Sequence, residues 1–227
     1  MSDIRQVKGI FVTATGTDVG KTYVSALLVK ALRELGVSCG YYKPALSGLN
    51  SSCVNDVEYV SNVSGGDFTL ENNVSYSFKE AVSPHLAADR AGVNILLDKI
   101  IADYLNLANM YDYIVVEGAG GITCPFNLSD KPLLLPDVIL ALGLDVLIIA
   151  DGGLGTINST LLTCEYAKSK GLNVKGIVLN NFDADNFMHN DNLAQVERLT
   201  GVNVIATVKN NDSKLEIEEK VLKGLFL

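Results

Sequence analysis

Short unbroken runs of branched and aromatic residues alternate along this chain with longer stretches whose apolar positions recur every three or four residues. The runs at 9–12, 37–42, 113–116, 146–150, 174–179 and 202–206 read as strands buried on both faces. Val24, Leu27, Leu28, Ala31, Leu32 and Leu35 keep helical spacing and stop at Gly36, while Leu97, Ile100, Ile101, Tyr104, Leu105 and Ala108 predict one face of another helix. Further helices are marked by Ile157, Leu161, Cys164 and Ala167, by Leu193, Val196 and Leu199, and by Leu215, Val221, Leu222 and Leu225. Ser83-Pro84-His85 reads as a helix start with proline at the first helical position, and a capping role for His85 competes with a catalytic one. Strands alternating with helices imply right-handed crossovers. The expected fold class is α/β, a three-layer, doubly wound, mainly parallel sheet with helices on both faces. No repeat or long linker divides the 227 residues, so one domain over 1–227 is expected.

Within that pattern, Thr13-Ala14-Thr15-Gly16-Thr17-Asp18-Val19-Gly20-Lys21-Thr22 lies between the first strand and the first helix. A glycine-containing turn in that context converges backbone N–H groups on an anion. Thr15 stands where the first glycine of a phosphate-binding loop is usual, with Gly16 one place later. Gly20-Lys21-Thr22 is intact and supplies close backbone approach, an ammonium for phosphate oxygens and a hydroxyl for Mg²⁺. A second informative stretch ends the apolar strand at 113–116 with Glu117 and continues Gly118-Ala119-Gly120-Gly121. A carboxylate there is the first polar group to emerge from the core, beside glycines that admit a phosphate.

Lys43, following the strand at 37–42, is expected at that strand's C-terminal end, the edge at which open α/β sheets bind ligands. The same edge should carry Lys21, Thr22, Glu117, the loop Gly152-Gly153-Leu154-Gly155 and Asn180 with Asn181. Residues 49–80, rich in Asn, Ser and Gly, read as an insertion over this site with a helix near 56–61. Asp56 is then either a metal ligand or an ordinary helix-start carboxylate.

Composition narrows the function classes. With 48% hydrophobic and 19% charged residues the chain is no disordered segment, and a net charge of −8 without a basic stripe argues against nucleic acid. The longest apolar run, 138–150, is interrupted by Gly143 and Asp145 and is too short for a bilayer, so no membrane partner is expected. The four cysteines, Cys39, Cys53, Cys124 and Cys164, form no Cys-x-x-Cys pair. With no signal peptide recognised, reduced thiols in a cytoplasm are expected.

Several blocks in order resemble the dethiobiotin synthetase family over nearly the whole chain. They are Phe11-Val12-Thr13 leading into Gly16 to Thr22, Gly40-Tyr41-Tyr42-Lys43-Pro44 with Ser47-Gly48, Asn55-Asp56, Ser83-Pro84-His85, Val116 to Gly121, and Leu154-Gly155 with Ile157-Asn158. Ala14 stands where the family usually has glycine, and Val208-Lys209-Asn210-Asn211 lacks a proline the family tends to carry. The resemblance implies a homodimer that uses MgATP to join CO₂ or bicarbonate to 7,8-diaminononanoate, closing a ureido ring. It implies Thr22, Asp56 and Glu117 around Mg²⁺ and Lys43 on the carbamate and transferred phosphoryl group. Asp18, Val19, Gly20, Lys21, Thr22 and Tyr23, with Glu117, Gly118, Ala119 and Gly120, would border the phosphates. Asn180, Asn181, Lys209, Asn210 and Asn211 would meet adenine. Ser47 and Thr17 would touch the diamine, and Gly155 and Asn158 would hold its carboxylate from the second subunit. Two other classes share this fold. A partition ATPase carries a signature lysine early in the loop, where this chain has Gly16, and a corrin-amidating synthetase normally carries a glutaminase domain for which there is no room.

Overall fold

A computed structural model describes residues 8–49, 54–129 and 131–226; Cys53 and residues 50–52 of the expected insertion lie outside them. In chain order the elements are β1 (Lys8–Ala14), α1 (Lys21–Glu34), β2 (Cys39–Ser47), α2 (Asp56–Ser64), α3 (Leu70–Asn73), β3 (Val74–Phe78), α4 (Pro84–Ala91), α5 (Leu97–Ala108) and β4 (Tyr113–Glu117). They continue with β5 (Pro125–Asn127), β6 (Leu133–Leu134), α6 (Leu135–Leu142), β7 (Asp145–Asp151), α7 (Thr156–Ser169), β8 (Val174–Asn180), α8 (Phe187–Thr200), β9 (Val204–Thr207) and α9 (Glu219–Gly224). Seven strands form one sheet in the order β3-β2-β4-β1-β7-β8-β9, every neighbouring pair parallel; β5 and β6 make a small antiparallel pair apart from it.

The period-2 alternation of the central strands separates two cores. Ile10, Val12 and Ala14 of β1 and Val115 of β4 face α1, α2 and α9, whereas Phe11, Ile114 and Val116 face the opposite layer with α4 to α8. Glu117 has the parity of Val115, and Lys43 that of Tyr41, so both point toward the layer that contains α1. The doubly wound α/β reading therefore holds.

Several expectations change. β2 does not stop at Tyr42. It pairs with β4 through residues 39–42 and with β3 from Lys43 to Ser47, so Lys43 lies inside a strand at the point where β2 leaves β4. Among the described residues of 49–80, only Val54 and the start of α2, Asp56 and Tyr59, border the site; the rest holds the remainder of α2, α3 and the edge strand β3. Val-Ser-Tyr-Ser-Phe alternates buried and more exposed residues, as an edge strand covered on one face does. On α5, Leu107 is buried and Leu105 exposed; on α8, Leu199 is exposed; and β9 begins at Val204 rather than 202. The buried face of α7 carries Thr156, Thr160 and Thr163 beside Cys164 and Ala167, leaving Ile157 and Leu161 half-buried. The apolar run at 138–150 divides between α6 and β7, with Gly143 as the left-handed C-cap of α6.

Tyr104 of α5 is buried with its hydroxyl unpartnered among the described residues, lying over Gly9, where a Cβ would meet it at 2.7 Å. A buried hydroxyl without a partner carries its desolvation cost uncompensated. Tyr104→Phe should therefore stabilise the protein by about 1 kcal/mol in urea unfolding. A destabilisation of that size would contradict the packing described here.

Candidate active site

The phosphate-loop segment crosses from the end of β1 to the start of α1. Thr15 N donates to Ile149 O at 3.0 Å, tying the loop to β7. Gly20 caps α1 in the left-handed region, φ 99°, and a Cβ there would lie 2.1 Å from Asn180 Nδ2, so only glycine fits. Asn180, at the end of β8, donates from Nδ2 to Val19 O at 2.9 Å and braces the loop from outside. Lys21 Nζ donates back to Gly16 O at 3.1 Å, closing its side chain over the turn. Burial lowers the Lys21 pKa, with Glu117 opposing and Lys43 reinforcing the shift.

Glu117, fully buried at the end of β4, is the centre of the arrangement. Its Oε1 accepts from Thr22 Oγ1 at 2.8 Å and from Lys43 Nζ at 2.7 Å, and its Oε2 accepts from the Tyr41 hydroxyl at 2.8 Å. Lys43 also pairs with Asp56, the first residue of α2, whose N-cap is Asn55. Asp56 is thus both a helix-start carboxylate and a member of the charge cluster. Burial opposes the charge on Lys43, yet Glu117 and Asp56 together outweigh it and hold its pKa above the ordinary lysine value. Burial, reinforced by Glu117, pushes the Tyr41 phenol well above the usual tyrosine range.

These groups open into a cavity of about 1000 Å³. Thr17, Asp18, Gly20, Lys21, Thr22 and Tyr23 line it from the loop and α1, Lys43 and Ser47 from β2, Asp56 from α2, and Glu117, Ala119 and Gly120 from the β4 turn. The Ser47 hydroxyl is buried and unpartnered among the described residues. Ser83 and Pro84 form part of the wall, and His85 Nδ1 lies 3.1 Å from Ser83 Oγ, a local contact at the start of α4.

Other expected site residues lie around or away from this cavity. Tyr23 OH donates to Lys209 O at 3.1 Å and Asp212 O at 2.7 Å, which fastens the turn containing Asn210 and Asn211 to α1. Asn180 Oδ1 is buried and unpartnered among the described residues, while Asn181 donates to Asp151 Oδ2 at 2.6 Å. Gly118 follows Glu117 but does not line the cavity. Gly155 caps α7 and Asn158 is exposed in its first turn, both outside the cavity. A second hollow of about 710 Å³ runs along β9 and is lined in part by Lys209 and Asp212, whose carbonyls accept from Tyr23. Sequence reasoning missed Tyr41, Tyr59, Thr123 and Cys124. For Tyr41 a signal existed: it lies two residues before Lys43, on the same strand face.

The AAA domain family matches residues 8–216. ATP-dependent dethiobiotin synthetase BioD of Clostridium botulinum (strain Eklund 17B / Type B) is 45% identical over 223 residues, covering 96% of this chain and 98% of the relative. Its counterpart from Brachyspira hyodysenteriae is 45% identical, covering 96% and 99% respectively. Among solved structures, chloroplast FtsY from Physcomitrella patens superposes with a TM-score of 0.58 at 14% identity, covering 98% of this chain and 66% of that one. A ParA family ATPase from Chlorobium tepidum gives 0.56 at 14% identity, covering 96% and 88%. At such identities the structures show a shared fold alone.

Removing one partner of a buried ion pair leaves the other charge uncompensated. Lys43→Met should cost about 3 kcal/mol of stability in chemical unfolding, and adding Glu117→Gln should recover much of it. If the double variant is no more stable than the single one, Lys43 and Glu117 are not the coupled pair described.

Proposed function

The chain belongs to the ATP-dependent dethiobiotin synthetase family, and we propose that its cavity joins CO₂ to 7,8-diaminononanoate at the expense of ATP, closing the five-membered ureido ring of dethiobiotin in biotin biosynthesis. The observation that carries this reading is the lysine in the Lys-Pro block of β2, Lys43, held beside the phosphate loop and distinct from the loop's own Lys21. A carbamate formed on one amine is a poor electrophile because its oxygens share a negative charge. Transfer of the γ-phosphoryl group to a carbamate oxygen gives a carbamic-phosphoric anhydride. The second amine then attacks the carbonyl carbon and phosphate departs with that oxygen.

Both reactants are anions, so the site's task is to hold them together and stabilise charge as it moves. Lys21 and the N–H groups from Asp18 to Tyr23 serve the phosphates, with Glu117, Ala119 and Gly120 bordering them. Lys43 serves the carbamate and the transferred group. Thr22, Asp56 and Glu117 bring hard oxygens to one end of the cavity, a set that would suit Mg²⁺ once Lys43, which bridges the two carboxylates, yields an oxygen of each to the cation. When bound there, Mg²⁺ would neutralise phosphate charge that the two lysines, already matched by two carboxylates, leave uncovered. Thr17 and the unpartnered Ser47 hydroxyl face the diamine. The unpartnered Asn180 Oδ1 is an acceptor suited to the adenine amino group, with Asn181 and the turn of Lys209, Asn210 and Asn211 nearby.

The diamine is long, and its carboxylate lies several methylenes from the reacting amines. In this reading it is held by the partner chain of a homodimer, at Gly155 and Asn158. The first turn of α7 has no side-chain cap and Leu154 beside it is 92% exposed, which supports a contact there. The reactants are small metabolites, and the proposed compartment is the cytoplasm. Among the described residues no helix is long and apolar enough to cross a membrane.

In a coupled assay, ATP hydrolysis should require both 7,8-diaminononanoate and bicarbonate. Lys43→Gln should lower turnover by about 10²–10³ while calorimetry still detects nucleotide binding; retention of more than roughly a third of turnover would refute the role. Asn158→Asp should raise the diamine KM at least about 10-fold by charge repulsion. Mixing it with Lys43→Gln should regenerate activity at low diamine, since each heterodimer then holds one wild-type site. Heterodimers confirmed by mass yet no more active than the parents would place the carboxylate within one subunit.

A further inference from the structure

Glu117 is held unevenly. Thr22 and Lys43 both donate to Oε1, on the cavity side, whereas Oε2 accepts, among the described residues, only from the Tyr41 hydroxyl, at 2.8 Å. Tyr41 does not line the cavity; it is fully buried beneath Lys43 on the same face of β2. Its position is fixed from two other sides. The Phe68 ring packs against it with centroids 6.1 Å apart, and its carbonyl accepts from Asn73 Nδ2 at 2.7 Å. An ionised carboxylate can only accept, so the phenol donates and Oε2 is committed inward.

Resting on the metal-site reading above, we infer that Tyr41 is a positioning residue that presents Glu117 to the cation through Oε1 alone, and that this sets a preference for Mg²⁺ over Ca²⁺. The reasoning is geometric. Mg²⁺ demands a compact octahedral shell, whereas Ca²⁺ accepts more oxygens and takes carboxylates with both oxygens at once. A carboxylate with one oxygen tied to a buried phenol offers the first arrangement and withholds the second. Hydrogen-bond partners of ligating groups commonly control affinity by about 10- to 100-fold.

The test measures Mn²⁺ bound to the protein with a non-hydrolysable ATP analogue by electron paramagnetic resonance, displaced in turn by Mg²⁺ and by Ca²⁺. In wild type, Mg²⁺ should displace at lower concentration. Tyr41→Phe should weaken Mg²⁺ about 10-fold and move the Mg²⁺-to-Ca²⁺ affinity ratio toward Ca²⁺ by a similar factor. A purely structural role would weaken both cations alike, so an unchanged ratio in a folded variant overturns the inference. Glu117→Gln separates this from the parent reading. If that variant retains the wild-type cation affinity, the metal site itself is wrong and the inference falls with it. If it loses the cation while the Tyr41→Phe ratio stays put, only the inference fails. Should Tyr41→Phe not fold, infrared difference spectra of wild type on adding Mg²⁺, with Glu117→Gln as the blank, decide the point. A Glu117 carboxylate splitting typical of one-oxygen ligation supports the inference, and one typical of two-oxygen ligation overturns it.

Discussion

A carboxylate with no solvent exposure persists as an ion only where donors replace its water, and Glu117 is matched by an ammonium and two hydroxyls. Those donors come from α1 and β2, while Asp56 reaches the same ammonium from α2. The local folds of the central strands and the start of α1 are therefore coupled through one side chain. The geometry that allows it is the register of β2, whose ladder with β4 ends at Tyr42 opposite Val116, so that Lys43 and Glu117 follow side by side at the strand end.

The charge balance explains why such a costly cluster suits the proposed chemistry. Lys21 and Lys43 roughly cancel Asp56 and Glu117, Asp18 adds a third carboxylate on the cavity lining, and in the proposed reaction a divalent cation would supply the surplus positive charge. Lys21 and Lys43 are not equivalent. Burial depresses Lys21, which bonds to a backbone carbonyl, whereas the carboxylates hold Lys43 in its charged form. A fixed positive charge beside the phosphate loop is what stabilisation of a transferred phosphoryl group requires.

Much of this was legible in the sequence, for physical reasons that also mark the limits. Strand, glycine turn and helix around Lys21, and an apolar strand ending in Glu117, are local patterns, and parallel topology brings both to one sheet edge. The sequence places Lys43 at the site but ends its strand at Tyr42, whereas β2 runs on to Ser47 beside an edge strand whose half-polar alternation is a weak signal. Tyr41 shares a strand face with Lys43, which the sequence shows, but only the tertiary fold reveals that its hydroxyl meets Glu117. The small β5–β6 pair and α6 were illegible for a different reason, since short apolar stretches carry no period that separates helix from strand.

In the proposed reaction this charge cluster makes a carbamate oxygen the acceptor of the γ-phosphoryl group. Following oxygen tests it directly: single-turnover reactions with ¹⁸O-labelled CO₂, 7,8-diaminononanoate and ATP, quenched before label exchanges with water, and mass analysis of the inorganic phosphate. Because the anhydride breaks between carbon and the bridging oxygen, the account predicts one labelled oxygen in each phosphate released. Phosphate carrying no label, formed alongside the ureido product, would contradict it.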